Sequence, residues 1–147
     1  MTHQQETFII DDLLNELQIY VKAELQTAGK PEIDVEIYHY SDEHICSIFA
    51  DRECLRQVLI HLLDNAVKFA GRGFIVFGYH LLDDNVVDFF VDDTRKGNND
   101  DAVLDLSAVR DLLQTMGSRL KVKPPKRVGS SFSFSIKSEQ VELTKLA

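Results

Sequence analysis

Apolar residues recur at three-and-four spacing in three long stretches of the chain, and alternate with polar residues in six shorter ones. The first long stretch, Thr7 to Ala28, carries Ile9, Leu13, Leu14, Leu17, Val21 and Leu25 on one stripe, and Gly29 followed by Lys30-Pro31 predicts its end. The second, Asp51 to Ala70, is the most regular: Leu55, Val58, Leu59, Leu62, Leu63, Ala66 and Val67 share a face that must be buried, and Asp51 is placed to cap the helix. The third spans about Asp105 to Met116, with Leu106, Val109, Leu113 and Met116 inward and Gly117 as its stop.

Ile33, Val35 and Ile37 alternate with Asp34, Glu36 and Tyr38, which predicts a half-buried strand over Ile33–Tyr40; a short strand, Ile45–Phe49, follows. Gly71-Arg72-Gly73 reads as a turn after the second helix. Phe74–Leu82 and Val86–Val91 then form a hairpin through Asp83-Asp84-Asn85, and the polar segment Asp92–Val103 reads as a loop. Arg119–Lys123 and Ser131–Lys137 make a second hairpin, with Pro124-Pro125 and Gly129 between them. Ser138–Ala147 has no clear strand or turn pattern and is read as a tail to a single domain over residues 1–137. Three amphipathic helices and six strands are buried most economically as an α+β two-layer sandwich, the helices on one face of a mixed, mostly antiparallel sheet.

At 147 residues the chain can bury a real core as one domain, and 44% hydrophobic with 27% charged residues describes a soluble globular protein. No apolar run is long enough for a membrane span, and the first residues lack a signal-peptide pattern, so the expected location is the cytoplasm, with no direct membrane insertion. Cys46 and Cys54 fit neither a disulfide framework nor a zinc site and are expected as buried, reduced thiols. A net charge of −8 argues against nucleic acid or an anionic membrane as partner. Aspartates crowd the sequence from Asp83 to Asp105, and a polyphosphate near them would be repelled unless cations intervened.

Gln57, His61 and Asn65 stand four apart on the second helix, and Lys68 follows three later on the same side. Such a row is either a solvent-facing stripe or a ligand-facing one. The order of residues in RQVLIHLLDNAVKFA resembles the N box of histidine-kinase-type ATP-binding domains of the GHKL superfamily, which reads Glu or Gln, Asn, Asn, Lys on one helical face. Gln57, Asn65 and Lys68 match, and His61 stands where the family places its first asparagine. VDDTRKG, Val91 to Gly97, resembles the G1 box; LDLSAVRDLLQTMGSRLKV resembles the helix and strand after the ATP lid; GSSFSFSI resembles the closing strand.

The resemblance covers about Phe8 to Lys137 and implies the histidine-kinase ATPase (Bergerat-type) fold in two-component signalling. It further implies ATP or ADP with magnesium as ligand, and a histidine kinase or response regulator as partner; a homodimer is compatible with it. Carried over by position, it puts Asn65, Lys68, Asp93, Thr94, Gly97 and Ser131 on the nucleotide side. Asn65 would meet the metal, with His61 a poor second because magnesium prefers hard oxygen ligands. In the family the G1 aspartate, here Asp93, accepts a hydrogen bond from the adenine amino group. Read locally, Asp93-Thr94 is a strand-terminating Asx turn, Lys68 a solvated lysine, and His61 a satisfied, partly buried histidine.

The departures from the family pattern concern the phosphates. Arg95 replaces the first G1 glycine, and NNDDAV stands where the family has a lid of roughly twenty residues. The glycine cradle Gly-x-Gly-Leu-Gly-Leu reads Asp101-Ala102-Val103-Leu104-Asp105-Leu106, so all three glycines are lost and two are carboxylates. Asp105 is expected to cap the third helix and occupy the positive end that phosphates would have used. An engineered deletion between Gly97 and Leu104 would leave the same sequence as natural loss of the lid.

None of His3, His39, His44, His61 and His80 lies on a dimerising helical hairpin, so no phosphoacceptor is expected in cis. The same absence argues against a phosphotransferase with its own active histidine. Two functions remain: a degenerate ATPase domain with weak or no ATP binding that serves as a signalling or protein-binding module, or an ATP-binding kinase domain acting on a histidine elsewhere.

Overall fold

A computed structural model describes residues 4–95, 106–123 and 130–146. Its elements are β1 (Glu6–Ile9), α1 (Ile10–Thr27), β2 (Asp34–Tyr38), β3 (His44–Ala50), α2 (Arg52–Phe69), β4 (Ala70–Asp83), β5 (Val86–Arg95), α3 (Ser107–Thr115), β6 (Lys121–Lys123), β7 (Ser130–Lys137) and β8 (Val141–Lys145). The larger sheet has the order β2-β4-β5-β7-β6, and the smaller β1-β3-β8. Among the described residues only the β2–β4 pair is parallel. The expected α+β sandwich is what forms, and its helical layer is knit by α2 packing on both α1 and α3.

The core follows from the two periodicities. Ile75, Phe77 and Tyr79 of β4, Val87, Phe89 and Val91 of β5, and Phe132, Phe134 and Ile136 of β7 point to one side and are buried. They meet Leu13, Leu14, Leu17 and Val21 of α1 and Leu55, Leu59, Leu62 and Leu63 of α2 in one cluster. Glycines end α1 and α3 with the same hydrogen-bond pattern. Gly29 (φ 74°) and Gly117 (φ 71°) take the left-handed conformation. Their amides, and those of Lys30 and Ser118, then reach back to Gln26, Leu25, Gln114 and Leu113 carbonyls at 2.8–3.1 Å.

Several expectations are corrected. Thr7–Ile9 belongs to strand β1, which pairs with β3, and the helix starts only at Ile10. Gly71-Arg72-Gly73 is no turn: α2 runs straight into β4, and the glycines lie at a register shift between Ala70 and Ile75. Asp92–Arg95, read as the start of a loop, continues β5 between β4 and β7. Ser138–Ala147, expected as a tail, contains β8, which pairs with β3, so the described residues form eight strands in two sheets. Its joint to β7 is the buried Ser138, whose hydroxyl donates to the Phe49 carbonyl at 2.8 Å and accepts from the Gln140 amide at 3.3 Å. The Pro124-Pro125 turn and Gly129 lie outside the described residues.

Both cysteines are buried and free, as expected. Burial is the main cause that pushes the Cys46 thiol up from its ordinary 9.0 to about 11, with nearby Asp11 adding to it. The folded pKa lies above the unfolded one, so the unfolded chain loses this proton first as pH rises. The stabilisation is whole below about pH 9 and lost as pH passes towards about 11. Tyr79 and Tyr20 are raised too, chiefly by burial, and act in the same direction at still higher pH. Urea midpoints are therefore expected to fall between pH 8.5 and 10.5 (approximate bounds of that window), and less so in Cys46→Ala. A flat profile would count against a thiol kept neutral by the core.

Candidate functional site

The candidate row lies on α2, and four sets of contacts orient that helix. At its start Asp51 Oδ1 accepts from the Cys54 amide at 3.0 Å, as the sequence predicts. At its end Lys30 Nζ donates to the carbonyls of Val67 and Lys68 at 2.8 and 3.0 Å, placing a cation at the negative pole of the helix. Towards α1, Arg56 Nε meets Glu16 at 3.1 Å and the Tyr20 hydroxyl donates to Asp64 at 2.7 Å. The Cys54 thiol contacts the Leu112 carbonyl of α3 at 3.7 Å.

The row occupies the arc these contacts leave open. Gln57 is half-buried and donates to Glu53 at 3.4 Å. Asn65 is half-buried, and its amide has no hydrogen-bond partner among the described residues. Lys68 is exposed, its Nζ 5.3 Å from the Phe69 ring centre. His61 is exposed as well, which corrects the expectation of a partly buried histidine: it sits on the arc that faces neither core nor a neighbouring helix.

Asp93 is 5% exposed, in register with Ile75 and Ser130 on the core side of β5. It is a strand residue, so the Asx-turn reading of Asp93-Thr94 does not hold. Thr94 is engaged elsewhere: its hydroxyl accepts from the Phe74 amide at 3.1 Å and faces the Phe74 carbonyl at 3.4 Å. Gly73 beneath it has φ 95°, and a Cβ there would meet Thr94 Oγ1 at 2.5 Å. Ser131 pairs with Asp92 and lies on the opposite face of the sheet from Asp93. The structure thus keeps Asn65 and Asp93 on the helical side and separates Ser131 from them.

Gly97 and the cradle positions Asp101, Val103 and Asp105 lie outside the described residues. Leu106 occupies the cap position of α3 and supplies no side-chain cap. Among the described residues no group of three or more His, Cys, Asp or Glu side chains could hold a metal ion. Asn65 offers one hard oxygen of the kind magnesium takes. No described helix is long and apolar enough to cross a membrane.

Among the grooves lined by described residues are two that do not include Asn65, Lys68 or Asp93. One, of about 460 Å³, runs between α1 and β2 past Lys22, Gln26 and Ile33. The other, of about 340 Å³, lies on the outward face of the larger sheet and is lined by Tyr38, His80, Phe90 and Asp92 among others. Of its residues the sequence reading proposed only Ser131. Alternation along Phe74–Leu82 could have placed His80 outward, but not beside Tyr38, because pairing is non-local.

No protein-family model matches the sequence, and no curated protein matches it. Solved structures do. The full-length histidine kinase ShkA in complex with AMPPNP is 24% identical, with a TM-score of 0.78 over 94% of this chain and 32% of that one. The Acinetobacter baumannii histidine kinase AdeS is 18% identical, with a TM-score of 0.75 over 95% of this chain and 70% of that one. The nucleotide-free catalytic domain of the histidine kinase ThkA is 19% identical, with a TM-score of 0.71 over 92% of this chain and 96% of that domain. ThkA also matches in its complex with the response regulator TrrA, at 20% identity and a TM-score of 0.73 over 91% of this chain and 42% of that one. From the helical layer to the mixed sheet, this chain has the fold of histidine kinase catalytic domains.

Proposed function

We propose that the chain is a histidine-kinase-like ATPase domain of two-component signalling whose nucleotide site is degraded, and that it works as a protein-binding module with weak or no ATP binding. The observation that carries this reading is the replacement of the three cradle glycines by Asp101, Val103 and Asp105. Backbone amides at a helix start can embrace phosphates only where the chain comes close, and two carboxylates there repel them. The commitment of the Thr94 hydroxyl to Phe74 supports the same view. A signalling protein such as a response regulator or a histidine kinase is the proposed partner, by analogy with the ThkA complex.

A second reading, a competent ATP-binding kinase domain, draws on Asp93, a carboxylate kept at 5% exposure on the helical side of β5. There Asp93 and Thr94 would meet adenine, and Asn65 and Lys68 would meet magnesium-bound phosphate for transfer to a histidine on another domain or chain. The ShkA complex with AMPPNP is the analogy for it.

Calorimetric titration of ATP and ADP, with and without magnesium, separates the two. The expected result is no saturable heat up to millimolar nucleotide, a limit of about −4 kcal/mol. Saturable binding that disappears in Asp93→Ala would overturn the degraded-site reading in favour of the kinase.

A further inference from the structure

The outward face of the larger sheet is built unlike a solvated sheet surface. Tyr38, Phe74 and Leu82 stand on it with 40%, 45% and 58% of their surface exposed. Three rings gather near its centre: Tyr38 lies 4.8 Å from His80 and 5.7 Å from Phe90, and His80 stacks on Phe90 at 5.1 Å and 19° between planes. Gly78 makes this possible. It pairs with Tyr38 on one side and Phe90 on the other, and without a side chain it lets the two rings close over it.

Beside the rings the 340 Å³ groove holds two carboxylates, Asp88 and Asp92, with Ser131 and Ser133 of β7 as its far wall. Asp88 accepts from the Ser135 hydroxyl at 3.0 Å. Asp92 Oδ1 is shielded from solvent and has no hydrogen-bond partner. Among the described residues, neither carboxylate forms an ion pair. A shielded carboxylate oxygen without a donor is unfavourable, and it has already lost part of its hydration before any ligand arrives.

We infer that this groove binds an arginine side chain presented by a basic peptide segment of a partner protein. The rings offer faces to a planar cation, and the outer oxygen of the Asp92 carboxylate takes one of its N–H donors. An anion would be repelled by a chain of net charge −8, and a neutral group would leave the Asp92 charge unanswered. The partial desolvation of Asp92 in the free protein lowers the cost of pairing it, which is preorganisation in the ordinary sense. The volume is at the lower end for a ligand pocket and suits one long side chain. The inference rests on the protein-binding reading for its purpose and supplies that module with a surface. The surface lies on the sheet face opposite the α2 row.

The test is an amide-resolved NMR titration of the full chain with a short glycine peptide carrying one central arginine, beside the same peptide with citrulline. Saturable shifts are expected at the amides around His80, Phe90, Asp92 and Ser133. Citrulline keeps the shape and removes the charge, and should bind about tenfold more weakly or worse. Asp92→Asn, nearly isosteric, should lose the same factor, and Phe90→Leu provides a second variant that removes a ring face. Equal binding of the citrulline peptide, unchanged affinity in both variants, or non-saturating shifts spread over the acidic surface would each overturn the proposal. Nucleotide titration of the same sample is read separately. ATP binding would sink the degraded-site reading and leave the groove standing, whereas loss of peptide binding alone would do the reverse.

Discussion

Leu62→Ala is expected to lower the free energy of unfolding by about 2–5 kcal/mol, the range for truncating a fully buried leucine. Leu62 is 0% exposed, on the face of α2 that joins the cluster built from both sheets. Its loss removes the transfer free energy of the deleted carbons and leaves a void. The walls cannot close readily, because α2 is held at both ends by Asp51 and Lys30 and at its side by Arg56 and Asp64. Urea unfolding with an unchanged slope is the measurement. Leu62→Met, which nearly conserves volume, should cost less than about 1.5 kcal/mol. A Leu62→Ala loss below about 1 kcal/mol would mean that α2 is not the centre of the core.

Gly78→Ala is expected to destabilise by about 1–3 kcal/mol, the usual cost of forcing carbon into a filled space. The sign is the informative part. Glycine within a strand is normally a weakness, and alanine there usually adds up to about 1 kcal/mol. Here a Cβ would sit 2.6 Å from the Tyr38 carbonyl oxygen and 2.9 Å from its Cβ, so β2 would have to move off β4. The nearest atom belongs to the backbone, and trimming the Tyr38 ring should not restore stability. Displacing β2 also parts Tyr38 from Phe90, so the variant should weaken arginine-peptide binding along with the fold. A neutral or stabilising outcome, measured by the urea midpoint, would show that the β2–β4 pair yields easily.

These two positions mark where the sequence was legible and where it was not. Leu62 belongs to a stripe readable from spacing alone, and so do the stops at Gly29 and Gly117. Gly78 carried no sign of its role, since its neighbours come from strands Asp34–Tyr38 and Val86–Arg95. The same divide runs through the candidate site. Asn65 and Asp93 could be named from their order in the chain, and the structure keeps both on the helical side. Ser131 was named with them, yet pairing with Asp92 turns it to the other face. The exposure of His61 depends on which arc of α2 its neighbours leave open, and spacing along one helix cannot report that. β8 is illegible in the sequence because Val141–Lys145 pairs at an edge with a single neighbour, β3, and only half-buries its first residue, so its polarity reads as a tail.

By itself the sequence determined three amphipathic helices with the Asp51 cap of α2 and the glycine stops of α1 and α3, most of the alternating strands that cover them, the acidic composition and the loss of the cradle glycines. Each depends on residues within a turn or two of one another, where helical and strand periods act directly. Tertiary structure alone decided the division into two sheets, the capture of the C-terminal segment by β3, the commitment of the Thr94 hydroxyl, and the meeting of three rings beside an unanswered carboxylate. Those features follow from which strands become neighbours. That choice is made by burial of the whole core, because a shift of one residue in pairing moves every side chain of a strand to the other face.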